Sequence, residues 1–137
     1  MSDGAAGYCN AMPRENVELV RRIYSAWNRG ESARAFIDEA VEYVNPPYAV
    51  ERGIRRGRRS FALMRDSYET WSFRIDELID AGDEVAVLGR YEARGRGSGL
   101  EMEGDQGHVW TVRDGKAVRF RWFHSHEEAR AAAGAPE

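Results

Sequence analysis

The chain has 137 residues, 42% of them hydrophobic and 31% charged, a balance that suits one globular domain around a single core. Its net charge of −3 opposes nucleic-acid binding by bulk electrostatics, and no apolar run approaches the roughly 18 residues of a membrane span. The single cysteine, Cys9, has no partner within the chain, so neither a disulfide framework nor a cysteine metal site is available.

Residues 1–12 (MSDGAAGYCNAM) carry no apolar periodicity and read as a flexible leader, with residues 13–137 as a single domain. The N-terminus lacks the basic-then-apolar order of a secretory signal, so a cytoplasmic location is expected. From Pro13, the apolar residues Val17, Val20, Ile23, Tyr24 and Trp27 fall on one helical stripe that Gly30 ends. A second, short helix is expected over Ser32 to Glu39, with Phe36 and Ile37 facing in. Val41 to Asn45 reads as a short strand stopped by Pro46-Pro47.

Tyr48 to Arg59 is a loop with room for one brief strand, and it carries five arginines between Arg52 and Arg59. That run reads as a solvated loop. The alternative is an anionic ligand, since Arg58 and Arg59 precede a helix whose dipole they oppose. Phe61, Met64, Tyr68 and Trp71 recur at helical spacing and predict a third helix over Ser60 to Thr70. Phe73 and Ile75 then alternate as a strand up to the turn at Ala81-Gly82-Asp83, followed by strands over Glu84 to Arg94 and Leu100 to Val112.

The stretch Gly107 to His126 (GHVWTVRDGKAVRFRWFHSH) holds two alternating runs joined by Asp114-Gly115, a hairpin signature. Alternation puts His108, Trp110 and Val112 on one face with Val118, Phe120, Trp122 and His124. Val109, Thr111 and Arg113 take the other face with Ala117, Arg119, Arg121 and Phe123. Ser125 with Glu128 resembles a capping box, so a short helix is expected over His126 to Ala133. Three helices with a mainly antiparallel, strongly bent sheet make an α+β fold, and Gly89 and Gly104 are the positions where the sheet can bend.

This order of elements resembles the nuclear-transport-factor-like superfamily. The likeness runs from about Asn16 to Ala133 and is carried by NVELVRRIYSAWNRG (Asn16 to Gly30), YVNPP (Tyr43 to Pro47), LIDAGDEVAVL (Leu78 to Leu88) and GHVWTVRDGKAVRFRWF (Gly107 to Phe123). It is closest to the SnoaL-like, polyketide-cyclase-type branch. The resemblance implies a cone-shaped α+β barrel with a mostly apolar pocket. From the helices and first strand, Tyr24, Trp27, Tyr43, Asn45, Met64 and Tyr68 would line it. From the later strands, Val87, Tyr91, His108, Trp110, Phe120, Trp122 and His124 would join them.

Such enzymes use an inward carboxylate as proton acceptor, and here the matching positions carry Asn45 and His108. The implied activity is cofactor-independent proton transfer, cyclisation or isomerisation of an aromatic or polycyclic carbonyl substrate. His108, near its ordinary pKa of about 6.5, would move the proton, while Asn45 and Tyr24 position an oxygen. No metal and no cofactor are expected. Two other readings stand beside this one. The chain is a non-catalytic ligand-binding or scaffold protein, or it is an epoxide hydrolase that draws on Glu92, Glu103 and Asp105. The outer sheet face, with Leu88, Val109, Arg121 and Phe123, is expected to pair two chains as a homodimer.

Overall fold

The computed structural model describes residues 12–50 and 52–134. The leader expected over residues 1–12, with Cys9, lies outside them except for Met12, which opens the first helix. That helix, α1 (Met12–Asn28), buries Val20, Ile23, Tyr24 and Trp27, with Val17 half-covered at the same stripe. Gly30 ends it with φ at +75°, its N–H bonded to the Trp27 carbonyl and that of Glu31 to the Ala26 carbonyl. This is the glycine-closed helix terminus that only a left-handed residue permits.

The helix expected over Ser32 to Glu39 shrinks to a single 3-10 turn, Arg34–Phe36. Strand β1 (Ile37–Asn45) begins four residues before the expected Val41, because Ile37 pairs with Ala117 in a parallel ladder. Cross-strand pairing of the β-branched, buried Ile37 here outweighs a weak local helix preference. The arginine-rich loop does contain one short strand, β2 (Gly53–Arg56), antiparallel to β1.

Helix α2 (Arg59–Asp66) is shorter than expected. Strand β3 (Tyr68–Ala81) follows at once, so Tyr68 and Trp71 are strand residues. Trp71, Phe73 and Ile75 form the strand's own period-2 series, which the helical spacing of Tyr68 and Trp71 had masked. The chain continues as β4 (Glu84–Gly95), β5 (Glu101–Arg113), β6 (Lys116–Phe123) and α3 (His126–Ala132). Ser125 caps α3, its Oγ accepting from Glu128 N–H at 3.3 Å, while the Glu128 carboxylate accepts from Tyr48 Oη at 3.2 Å. The strand order in the single sheet is β2-β1-β6-β5-β4-β3, antiparallel except between β1 and β6. The α+β architecture is as expected.

Asp114 and Gly115 both have positive φ, 53° and 75°, as a two-residue hairpin turn demands. The facing pairs His108–Trp122 and Trp110–Phe120 put those four rings on one face. A register shift between Thr111 and Val112 alters the end of the hairpin. Ala117 pairs with Val112 and joins the inner core, while Val118 turns toward the outer face beside Arg119. Simple alternation assigned these two residues to the opposite faces, since one extra residue in a strand inverts everything beyond it.

Two apolar layers result. On the inner face, α1 packs against Phe73, Val85, Val87, Trp110 and Phe120. On the outer face, Ala129 and Ala133 of the α3 region cover Ala86, Leu88 and Val109. The rest of that face carries the ion pairs Arg119–Glu42 at 2.9 Å and Arg121–Glu84 at 3.1 Å. The chain itself covers Leu88 and Val109 on this face, while the Arg119 side chain stays about half exposed.

Two glycines make close approaches possible. A Cβ at Gly89 would collide with the Arg74 carbonyl and the Phe73 ring, opposite a bulge between Ile75 and Glu77. A Cβ at Gly107 would strike Ala129. Gly107→Ala should therefore lift α3 from the sheet and cost about 2 kcal/mol. Urea unfolding measures that loss, and a variant as stable as the parent would show that α3 does not hold this seat.

Candidate active site

One cavity of about 200 Å3 opens on the inner face of the sheet. Trp27 of α1, Tyr43 of β1 and Met64 of α2 form one side of it. Tyr68 and Trp71 of β3 with Tyr91 of β4 form another. Gln106 and His108 of β5, Phe120 and Trp122 of β6, and His124 just beyond β6 complete the wall. The ring of Tyr91 has its place because its cross-strand partner is Gly104, where a Cβ would lie 3.3 Å from that ring.

Nine residues expected at the pocket meet here: Trp27, Tyr43, Met64, Tyr68, Tyr91, His108, Phe120, Trp122 and His124. Four others do not line it. Val87 and Trp110 are fully buried in the core beneath it, and Tyr24 lies behind His108. Asn45 instead lines a neighbouring hollow with Arg55, Ser60 and Leu63, and its Oδ1 accepts from Trp122 Nε1 at 2.8 Å. Asn45 thus orients Trp122 and is not brought together with His108.

Two lining residues were missed. Trp71 was hidden by its helical spacing from Met64 and Tyr68, just past the helix expected over Ser60 to Thr70. Gln106 had a legible signal, since it stands two residues from His108 on the same strand and so on the same face.

His108 lies at the centre of a directed hydrogen-bond chain. Trp110 Nε1–H donates to Tyr24 Oη at 2.8 Å, and Tyr24 Oη meets His108 Nδ1 at 2.5 Å. His108 Nε2 meets Gln106 Oε1 at 2.8 Å. The indole can only donate, and the buried phenol satisfies its own proton by donating to Nδ1. Nδ1 is then an acceptor, and the ring proton sits on Nε2, given to Gln106.

Phe73 and Phe120 crowd the imidazole, with ring centroids 4.7 and 5.0 Å away, and Tyr24 stacks parallel to it. Burial among these rings pushes the His108 pKa down to about 3. The ring is neutral at physiological pH with its basic nitrogen occupied. It is not the poised base that its ordinary pKa suggested.

Burial raises the phenols of Tyr43 and Tyr68, so both stay protonated donors. Among the described residues no carboxylate lines the cavity. Glu103 and Asp105 are exposed and held by Arg90 at 2.7 and 3.1 Å, and Glu92 is exposed. Water activation for epoxide opening therefore has no carboxylate at this site. His124 stands exposed at the mouth, stacked on Tyr48 at 5.4 Å. His126 is half-buried, with Nε2 2.8 Å from the Gly89 carbonyl. Among the described residues no group of three or more His, Cys, Asp or Glu side chains is arranged to hold a metal ion.

The SnoaL-like domain family matches residues 20–120. The chain belongs to that family. An NTF2-like protein from Burkholderia thailandensis is 30% identical, with 91% of this chain and 98% of that one covered at a TM-score of 0.67. TerC, co-crystallised with polyporic acid, is 22% identical over 88% of this chain and 99% of its own, with a TM-score of 0.67. A protein assigned as a SnoaL-like polyketide cyclase, from Jannaschia sp. CCS1, superimposes over the whole of both chains at 16% identity with a TM-score of 0.72. No curated protein matches the sequence. The family includes polyketide cyclases and other small-molecule enzymes, and no described helix is long and apolar enough to cross a membrane.

Proposed function

We propose that this SnoaL-like chain is a small-molecule enzyme that seats an aromatic or polycyclic carbonyl compound in the inner cavity and promotes a cofactor-independent isomerisation or cyclisation. The observation that carries this reading is the Trp110–Tyr24–His108–Gln106 chain. With its Oε1 engaged by His108, Gln106 offers its amide N–H groups to the cavity, where a carbonyl or enolate oxygen would accept them. A preorganised donor in a dry, aromatic-walled site stabilises charge developing on such an oxygen. His108 acts here as a neutral orienting donor. A proton leaving the substrate carbon passes to His124 or to water at the mouth. The family's cyclases support the reaction class, and the polyporic acid bound by TerC supports an aromatic ligand.

A second reading, a non-catalytic binding protein, is favoured by two observations: among the described residues no carboxylate lines the cavity, and His108 Nδ1 is occupied. One experiment separates the two. A panel of hydroxyquinones and polycyclic enones is titrated while the fluorescence of Trp27, Trp71 and Trp122 is followed, and product formation is assayed on every ligand that quenches. The enzyme reading expects turnover that Gln106→Leu lowers about a hundredfold with little loss of stability. Saturable binding without turnover leaves the binding reading standing, and the absence of saturable quenching defeats both.

A further inference from the structure

A second cavity, of about 330 Å3, shares Trp27 with the first and otherwise has its own lining. Its floor is apolar, made by Trp27, Ile37 and Phe61 with two alanines, and Ser32 stands on its wall. Four guanidinium groups surround that floor: Arg34 from the 3-10 turn, then Arg58, Arg59 and Arg65 from α2 and its N-terminal flank. Among the described residues none of the four is in an ion pair. Arginines of the sheet behave differently: Arg56, Arg74, Arg90, Arg94, Arg119 and Arg121 each hold a carboxylate. A cluster of like charges left without acids is electrostatically unfavourable unless an anion joins it.

The cluster is also partly fixed in place. Arg58 Nη1 donates to the carbonyls of Arg34 and Ile37 at 3.1 and 3.4 Å, and Arg65 Nη2 to the carbonyl of Gly30 at 3.3 Å. Each guanidinium carries five N–H donors, so these anchors leave most of them for a ligand. The first turn of α2 holds no acidic residue, and its flanking Arg58 makes no side-chain cap. The helix dipole therefore adds positive potential to the same place.

We propose that this cavity is a separate binding site for a small organic anion, a carboxylate or phosphate borne on a compact apolar body. The head group would be held by the guanidiniums of Arg34 and Arg59, which are the exposed pair, and by the anchored Arg58 and Arg65. The apolar body would lie against Trp27 and Phe61. Charge and floor together select this class: a bare inorganic anion leaves the floor wet, and a neutral arene leaves the arginines unsatisfied.

Isothermal titration calorimetry of the full chain with benzoate, phenyl phosphate, inorganic phosphate and benzyl alcohol tests this site. Benzoate or phenyl phosphate should bind, more weakly as salt is raised, and at least tenfold tighter than benzyl alcohol or inorganic phosphate. Which of the two anions binds tighter identifies the head group. Arg34→Gln/Arg59→Gln, which removes no hydrogen bond to the backbone, should weaken that binding tenfold or more, while Gln106→Leu in the first cavity leaves it unchanged. The proposal is overturned if neither organic anion binds at millimolar concentration, if benzyl alcohol or inorganic phosphate binds equally well, if the double variant binds like the parent, or if Gln106→Leu abolishes the binding.

Discussion

At acid pH, His108→Gln should keep stability that the parent chain loses. In the folded protein burial holds His108 at a pKa of about 3, against 6.5 for the ordinary imidazole. Below pH 6.5 the unfolded chain takes up a proton there and the folded chain does not. The unfolded state then binds more protons, so stability falls as the pH falls from about 6.5 towards 3. The full effect over that window is on the order of 5 kcal/mol, or about 1.4 kcal/mol per pH unit. Glu42 and Asp76, whose carboxyls are lowered chiefly by hydrogen bonds from Arg119 and Arg74, also lose stability in acid, but they do so in parent and variant alike. Urea unfolding at pH 7, 5.5 and 4.5 should therefore give a steeper decline for the parent than for the variant. Parallel declines would mean that the imidazole is solvated in the folded state.

Tyr24→Phe is expected to be the most damaging conservative change near the site. The phenyl ring keeps the packing against Trp27, Phe73 and His108. What disappears is one oxygen that both accepts from Trp110 Nε1 and donates to His108 Nδ1. Trp110 is fully buried and His108 nearly so, hence neither orphaned nitrogen regains a water partner. Each unsatisfied polar atom costs about 1–3 kcal/mol, so a loss of roughly 3 kcal/mol is expected, readable as a fall of several degrees in Tm. The change also frees the imidazole tautomer, which loosens the grip on Gln106, so turnover should fall along with stability. A Tyr24→Phe protein that melts with the parent would show that the three side chains are not joined as a chain.

Much of the fold was legible because its signals are local. Asp114-Gly115 identified the hairpin since few residue pairs tolerate positive φ twice in succession. The stripe from Val17 to Trp27 identified α1 since its period is unambiguous. Legibility failed where two periods overlap or where a ladder decides. Tyr68 and Trp71 fit a helix by spacing, yet belong to β3 through pairing with β4. Ile37 has no strand pattern of its own and is recruited by Ala117 across a parallel ladder.

The site divides the same way. Alternation along β5 and β6 brought His108, Phe120 and Trp122 to one wall, and the same rule applied to Gln106 reaches it too. The chemical state of His108 was not legible. It depends on Phe73, Phe120 and Tyr24, which arrive from three other elements and together exclude water from the ring. On the outer face the cover that α3 gives to Leu88 and Val109 was not legible either, because that contact joins residues far apart in the chain.

The central claim is that His108 is a neutral ring which accepts at Nδ1, donates from Nε2 and orients Gln106 towards a bound oxygen. Long-range 1H–15N NMR of the histidine rings tests this directly, recorded from pH 4 to 8 and again with a hydroxyquinone that quenches the cavity tryptophans. The predicted result is a His108 signal of the neutral Nε2–H tautomer that does not titrate across that range, and that shifts saturably with ligand together with the Gln106 side-chain amide. A His108 that titrates near neutral pH, or that carries its proton on Nδ1, would contradict the account.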